Sequence, residues 1–164
     1  MPEISEEQKK ARRKAMLLLE HMDRTEKGLS DRLHQAGFSA DAVEDAINYV
    51  RSYGYLNDRR YAENYISFRM STKSHQKILQ ELSTKGIDRE TAAVAWESVA
   101  EIQEPDELEV LRTAVQKKCQ PDTALGEKEM RRLQGYLLRH GFNYGDISHV
   151  LGEMNITYIR EKLE

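Results

Sequence analysis

Apolar and polar positions follow the same order in three windows of this chain. The windows are 29–50 around Gly37, 78–99 around Gly86 and 133–154 around Gly141. Each has a leucine or isoleucine eight positions before the glycine, a leucine four before it, and apolar residues one and thirteen positions after it. The glycines are 49 and 55 residues apart, a spacing typical of structural repeats.

This pattern predicts a helical hairpin in each window. Apolar residues four positions apart lie on one face of a helix. The glycine then ends that helix in the left-handed conformation, which a residue with a Cβ adopts at a cost. The apolar residue after the glycine folds back onto the helix, and a second amphipathic helix follows a polar N-terminal residue. These polar residues are Ser39, Asp88 and Asn143.

An amphipathic segment precedes every hairpin, so we predict an all-α fold, an elongated array of three tandem three-helix repeats. No alternating apolar run predicts a β-strand. The predicted boundaries are a disordered N-terminal tail at 1–10, repeats at 11–53, 55–103 and 104–154, and a C-terminal segment at 155–164 that is helical over 157–163.

The amino-acid composition limits the kinds of function that this chain can have. Charged residues make up 32% of the 164 residues, and the net charge of −3 gives no overall attraction to nucleic acid. Binding to a polyanion must therefore come from local basic clusters. The single cysteine, Cys119, excludes an internal disulfide and suits a reducing compartment. No apolar run reaches the length of a membrane span, so we expect a cytoplasmic protein without membrane contact.

The sequence offers little for catalysis. It contains no phosphate-binding loop, no dinucleotide fingerprint and no nucleophile elbow. The five histidines and Cys119 do not have the spacing of zinc ligands. Acidic clusters lie in first turns of predicted helices, where they interact favourably with the helix dipole. We therefore predict a protein that is not an enzyme and has no cofactor and no metal.

Basic residues recur beside the apolar face of each hairpin's first helix, at positions thirteen, nine, five and one before the glycine. These rows are Arg24, Gly28, Arg32 and Ala36, then Lys73, Lys77, Glu81 and Lys85, then Lys128, Arg132, Tyr136 and His140. Residues four apart share a helix face. One interpretation is solvated helix surface; the other is a recurrent basic face that meets an acidic partner or phosphates.

Five of the eight tyrosines fall within 49–65, together with Arg51, Arg59 and Arg60. Tyrosine and arginine together stack on bases or anchor protein interfaces. Tyr61 and Tyr65 are four residues apart and are expected in the core. Tyr53 and Tyr55, which flank a glycine, are left as candidate surface anchors.

Three phrases in this chain resemble those of the RecX regulatory proteins. Residues 54–62, GYLNDRRYA, resemble the family phrase GYL(D/N)D-x-R-(F/Y)-A. Residues 78–87 resemble its second-repeat phrase ending in L-x-x-KG-I, and residues 136–147 resemble its third-repeat YL-x-RRGF-x-Y-x-x-I. The phrases occur in the family's order over residues 11–154. His140 stands where the family often has an arginine, and Asn57 replaces the commoner aspartate.

The resemblance implies a curved, elongated molecule of three-helix modules that binds along the groove of a RecA filament on single-stranded DNA. We expect the chain to be a monomer. It further implies inhibition of RecA ATPase, strand exchange and co-protease activity in recombination, DNA repair and the SOS response. The predicted contact residues are Arg59, Arg60, Lys73, Lys77, Lys85, Arg132 and Arg139. The slight net acidity favours the protein filament over DNA as the main contact. A helical DNA-binding module and a protein adaptor, each acting without RecA, remain alternatives.

Overall fold

The computed structural model describes residues 3–160, and those residues form nine α-helices and two short β-strands. The helices are α1 (Glu6–His21), α2 (Glu26–Gln35), α3 (Ala40–Ser52), α4 (Asp58–Arg69), α5 (His75–Thr84), α6 (Arg89–Gln103), α7 (Glu107–Gln116), α8 (Glu127–Arg139) and α9 (Tyr144–Glu153). The strands are β1 (Ala124–Leu125) and β2 (Thr157–Tyr158). The predicted all-α fold of three three-helix repeats is confirmed, with α1–α3, α4–α6 and α7–α9 as its repeats.

The described chain divides into two compact units. Unit 1 contains residues 3–65 and 81–98, and unit 2 contains residues 66–80 and 99–160. Unit 1 has a core from α1, α2, α3 and the following turn, built on Ala11, Ala15, Leu18, Leu29, Leu33, Ala42, Val43, Ala46, Ile47, Val50 and Leu56. Unit 2 has a core that includes Leu111, Val115, Leu125, Leu133, Leu137, Phe142, Ile147, Val150 and Ile156.

The glycine turns have the predicted geometry. Gly37, Gly86 and Gly141 have φ of 94°, 91° and 89°, the left-handed region in which a Cβ is costly. The residue after each glycine donates its N–H to the carbonyl of the leucine four positions before that glycine, as in Ile87 N–H to Leu82 O at 3.0 Å. This bond closes a Schellman motif and ends the first helix of each hairpin.

Helix α1 begins earlier than the sequence pattern predicts. A disordered tail was expected over 1–10, but α1 starts at Glu6. The reason is a capping box: the Ser5 hydroxyl accepts from the N–H of Gln8, and the Gln8 side chain accepts from the N–H of Ser5. The sequence Ser-Glu-Glu-Gln carries this signal, and its polarity hid the helix. Residues 1–2 lie outside the described part of the chain.

A short parallel β-pair replaces the first part of the helix expected over 157–163, so that prediction is wrong for residues 157–158. Ala124 pairs with Thr157, and Leu125 pairs with Tyr158. Asn155, with φ of 55°, turns the chain out of α9, and the N–H of Thr157 then donates to Thr123 O at 3.0 Å. Residues 161–163 lie outside the described residues.

Within unit 1, the glycine turn of the second repeat docks on the N-terminus of α2. Thr25 caps α2 by accepting from the N–H of Gly28, and its hydroxyl donates to the carbonyl of Lys85 at 2.7 Å. The next residue, Gly86, lies so close to the Lys27 side chain that an added Cβ would stand 2.6 Å from Lys27 Cδ. Glycine is therefore required here by both φ and close approach.

Within unit 2, a related contact joins the third repeat to α5, with a backbone N–H in place of the hydroxyl as donor to the turn carbonyl. The N–H of Ser74 donates to the carbonyl of His140 at 3.4 Å, and Ser74 Oγ accepts from the N–H of Lys77. A Cβ at Gly141 would stand 2.5 Å from Lys77 Cβ and would also meet Ser74 Oγ. The buried polar residues of the described chain are Thr25 and Ser74, the caps of these two contacts.

An acidic residue completes each contact. Asp58, the first residue of α4, accepts from the N–H of Glu26, the first residue of α2, at 2.8 Å. Glu107, the first residue of α7, accepts in the same way from the N–H of His75, the first residue of α5. We call this arrangement the inter-repeat joint: a capped helix N-terminus that receives the glycine turn and the leading acid of the next repeat.

The joint has no third copy among the described residues. Nothing lies within 4 Å of a Cβ built on Gly37. In the third repeat, the position twelve before Gly141 is Glu129, which lies inside α8 because that helix begins at Glu127. A residue inside a helix cannot act as its N-cap. The α8 N-cap is Gly126, which makes no side-chain capping bond.

The Asp58 joint predicts a pH dependence. Burial raises the pKa of Asp58 despite the bond from Glu26, so the folded protein holds this proton more tightly than the unfolded chain. Protonated Asp58 therefore contributes most to stability at a pH below 3.8, the ordinary pKa of an aspartate. This contribution is lost as the pH rises through the raised pKa of the folded protein. Asp58→Asn, whose amide oxygen still accepts, is expected to gain stability relative to the parent across that window.

Asp58→Ala provides the contrast. It leaves the Glu26 N–H without its acceptor and is expected to cost about 1–3 kcal/mol. Urea unfolding of both variants, followed by circular dichroism from pH 4 to neutrality, measures both effects. Equal losses for Asn and Ala would contradict the assigned hydrogen bond.

Candidate functional site

The seven basic residues predicted as contacts belong to different parts of the fold. Arg59 and Arg60 lie in the first turn of α4, and Lys85 lies in the turn after α5, all in unit 1. Unit 2 holds the other four, which are Lys73, Lys77, Arg132 and Arg139. Each group has its own surroundings.

In unit 1, two of the three cations are already engaged. Arg59 Nε pairs with Glu63 at 3.0 Å, and its Nη2 donates to Ser98 Oγ at 3.3 Å. The Lys85 ammonium lies 5.7 Å from the centre of the Tyr65 ring, while the Lys85 carbonyl belongs to the joint. Arg60 is exposed. Exposed pairs such as Arg59–Glu63 contribute little stability, so this arginine can exchange its partner at small cost.

In unit 2, Lys73 and Lys77 flank the cap of α5. Lys77 is half-buried, its N–H donates to Ser74 Oγ at 3.1 Å, and its Cβ faces Gly141. Lys73 is half-buried too, and its N–H donates to the carbonyl of Arg69. The stem of Lys77 is thus a structural part of the joint, which makes it a poor position for testing binding alone.

Arg132 and Arg139 line a cleft of about 510 Å³ beside α8. Its lining, which we call the α8 cleft, consists of Lys118, Cys119, Leu125, Glu129, Arg132, Leu133, Tyr136 and Arg139. Two of the lining residues, Leu125 and Leu133, are buried and form an apolar floor. Within residues 3–160, the charged groups of Lys118, Arg132 and Arg139 make no ion pair, so three cations face this cleft against one carboxylate.

Tyr136, at the α8 cleft, contacts a lysine and a second aromatic ring. The Lys118 ammonium lies 4.8 Å from the centre of the Tyr136 ring. The His140 ring lies 4.2 Å from the same centre, tilted by 43°, and its Nδ1 is 2.8 Å from the Tyr136 carbonyl. Tyr136 is thereby held in one orientation by neighbours from its own helix and from the end of α7.

A glycine within α8 makes room for one of the cleft arginines. Gly135 lies in the helix interior, where glycine is less favourable than alanine by about 0.5–1 kcal/mol. A Cβ there would stand 3.1 Å from Arg139 Nη1. The Arg139 guanidinium therefore lies back along α8 over Gly135, four residues before it.

Lys118 was missed by the sequence analysis because it belongs to no hairpin row. It follows the C-cap of α7, Lys117, and reaches the cleft only when α7 and α8 pack together. The adjacent pair Lys117-Lys118 was the available signal, but basic residues at a helix C-terminus are also explained by the helix dipole.

The two tyrosines predicted in the core differ in their burial: Tyr65 is buried and Tyr61 is half-buried. Tyr53 and Tyr55 are exposed and stacked, with ring centres 6.0 Å apart.

Metal ligands are not grouped in the described chain: no three His, Cys, Asp or Glu side chains among residues 3–160 could hold an ion together. No helix in this part of the chain is long and apolar enough to cross a membrane.

Family models for the three RecX three-helix domains match this chain in order. The first domain matches residues 11–49, the second residues 57–95 and the third residues 105–151. Each match falls on one of the three repeats described above.

Curated relatives and a solved structure agree with these matches. Regulatory protein RecX of Caldanaerobacter subterraneus subsp. tengcongensis is 33% identical over 152 residues, which is 92% of this chain and 72% of that protein. Regulatory protein RecX of Legionella pneumophila (strain Corby) is 32% identical over 150 residues, or 88% of this chain and 95% of that protein.

The crystal structure of RecX from Lactobacillus salivarius superposes with a TM-score of 0.69 at 24% identity. The alignment covers 93% of this chain and 99% of that one, and it supports the fold. Three domain models in order, with a relative 32% identical along nearly its whole length, show that this chain belongs to the RecX family of regulatory proteins.

Proposed function

We propose that this chain is a non-catalytic regulator that binds the RecA filament on single-stranded DNA and inhibits RecA ATPase, strand exchange and co-protease activity. The observation that carries the proposal is the ordered match of all three RecX domain models. The residues of the α8 cleft also support the proposal. Its three cations make no ion pair within residues 3–160 and lie beside an apolar floor, which suits binding of a charged partner better than catalysis. The proposed working form is a cytoplasmic monomer.

The proposed mechanism relies on several weak contacts made together. Arg132 and Arg139 would meet one filament subunit or exposed phosphate, and the cations of unit 1 would meet another. Linked contacts raise the overall affinity without any one of them being strong, because the second contact forms at a high effective concentration. A regulator bridging subunits in this way opposes the subunit rearrangements that ATP turnover and strand exchange require.

The direct test is single-stranded-DNA-dependent ATP hydrolysis by the cognate RecA, titrated with the full chain. A fall in ATP hydrolysis with few regulator molecules per filament is expected, since one molecule that bridges subunits affects its neighbours. Unchanged hydrolysis, with filaments intact by electron microscopy, would rule out the proposal and favour an adaptor acting without RecA.

Charge reversal in the α8 cleft is expected to weaken inhibition. For Arg132→Glu with Arg139→Glu, the concentration giving half-inhibition should rise about tenfold or more, because a hydrogen bond to a charged group is worth about 1.5–3 kcal/mol. Both side chains are exposed, so folding should be retained. The matched control is Arg13→Glu with Arg89→Glu, which makes the same charge change at exposed positions outside the cleft. Equal inhibition by both double variants would remove the cleft from the proposed site.

A second candidate is a DNA-binding module that acts without RecA. The exposed, stacked rings of Tyr53 and Tyr55 favour it, because exposed aromatic residues stack on single-stranded bases. This candidate predicts an affinity for naked DNA that falls steeply with salt. Titration of labelled single-stranded DNA at two ionic strengths, with and without RecA, separates it from the filament regulator.

A further inference from the structure

We propose that the α8 cleft recognises an acidic protein segment, with an apolar residue between carboxylates, and not a nucleic-acid strand. This inference rests on the proposed function, since Arg132 and Arg139 are its central contacts, and it names the chemistry of the partner at that site.

The charge and geometry of the cleft suit carboxylates. The guanidinium group is planar and binds a carboxylate through two parallel N–H···O bonds, and both Arg132 and Arg139 line this cleft. Lys118 adds a third positive charge from the end of α7. A segment with two or more acidic residues therefore finds complementary charge at several points.

The aromatic residue in the cleft is not available for base stacking. Single-stranded nucleic acid is held without sequence preference by bases lying on exposed ring faces. The Tyr136 ring already carries the Lys118 ammonium at 4.8 Å and the tilted His140 ring at 4.2 Å. A base stacking on this ring would compete with these two partners, whereas a carboxylate needs no ring face.

The one carboxylate in the lining, that of Glu129, also favours a peptide over a nucleic-acid strand. Glu129 accepts hydrogen bonds, and a peptide backbone offers N–H donors. A phosphodiester backbone has no N–H donor to offer this carboxylate. The buried Leu125 and Leu133 give an apolar floor that a leucine or similar side chain can cover. A volume of about 510 Å³ holds a few side chains of a peptide.

Fluorescence anisotropy with the full chain tests the proposal. The probe is a labelled peptide in which glutamates flank leucines, and the comparison is a labelled oligothymidylate of equal net charge. We expect saturable peptide binding that Arg132→Glu with Arg139→Glu weakens by about tenfold or more. Arg132→Gln with Arg139→Gln, which removes charge without adding repulsion, should weaken it to a smaller extent. Arg13→Glu with Arg89→Glu should leave the binding constant within about twofold, because exposed charges outside the cleft act weakly at physiological salt.

Two results would overturn the proposal. One is oligothymidylate binding that is at least as tight as peptide binding and equally sensitive to the cleft variants. The other is peptide binding that the cleft variants leave unchanged, or no peptide binding at all. Thermal unfolding by circular dichroism accompanies each variant, and the Gln pair serves as the test if the Glu pair does not fold.

The proposed function can fail separately. If the peptide binds through the cleft while RecA ATPase is unaffected by the chain, the acidic segment belongs to another partner and the RecA proposal fails. If the chain inhibits RecA through Arg132 and Arg139 but does not bind the peptide, the regulator proposal stands and the cleft meets phosphate.

Discussion

Gly141→Ala is expected to lower the free energy of unfolding by about 2–5 kcal/mol, the sum of two separate costs. The left-handed conformation at φ of 89° penalises any Cβ by about 1–2 kcal/mol. The added methyl group would also stand 2.5 Å from Lys77 Cβ and 3.0 Å from the Lys77 amide nitrogen. The backbone atom cannot move aside without disturbing the first turn of α5, so overpacking adds about 1–3 kcal/mol.

Gly37→Ala is the matched control. Its φ of 94° carries the same conformational penalty, but nothing lies within 4 Å of the new Cβ. It is expected to cost only about 1–2 kcal/mol. Urea unfolding followed by circular dichroism compares the two variants under one set of conditions. Equal losses at positions 37 and 141 would show that the joint adds no steric requirement of its own.

Thr25→Val is expected to lower the free energy of unfolding by about 2–4 kcal/mol, because it strands two polar groups at a buried position. The threonine hydroxyl accepts from the N–H of Gly28 and donates to the carbonyl of Lys85, and the side chain is 4% exposed. Valine keeps the shape of threonine and removes both bonds, so packing changes contribute little to the measured loss.

Two further substitutions define this loss. Thr25→Ser restores the hydroxyl and should recover most of the stability. Ser39→Ala removes an exposed N-cap, which bonds the N–H of Ala42 and also donates to Glu7, and should cost about 1 kcal/mol. Differential scanning calorimetry of the four proteins checks the ranking. A Thr25→Val loss no larger than that of Ser39→Ala would contradict the joint's assigned role.

The hairpins were predictable because their signals are local. The Leu29–Leu33 and Leu133–Leu137 pairs, with the glycine four residues on, lie within a single helix and its cap. The apolar periodicity and the φ preference of glycine act over those few residues, so one sequence suffices to recognise them. The start of α1 at Glu6 is not visible in the apolar periodicity, because the polar capping box preceding Lys9 contains no apolar residue.

The joint and the α8 cleft could not be predicted from short stretches of sequence, because their residues are far apart along the chain or lie in different helices. Thr25 meets Lys85 across 60 positions, and Asp58 meets Glu26 across 32. Nothing in a short window specifies which helix N-terminus a turn will meet. A signal is visible afterwards: a hydroxyl residue stands twelve positions before Gly86 at Ser74, as Thr25 does before Gly37. The cleft needs Lys118 from a different helix, and no hairpin row contains it.

Among residues 3–160, only the middle repeat contributes to both inter-repeat joints. It offers Asp58 and Gly86 to the repeat before it, and Ser74 and the N–H of His75 to the repeat after it. A second copy of this repeat could therefore follow the first, because its Asp58 and Gly86 would meet a capped helix N-terminus of the kind that α5 presents. A chain with residues 55–103 duplicated would therefore present a leading acid, a glycine turn and a capped helix N-terminus at each added junction.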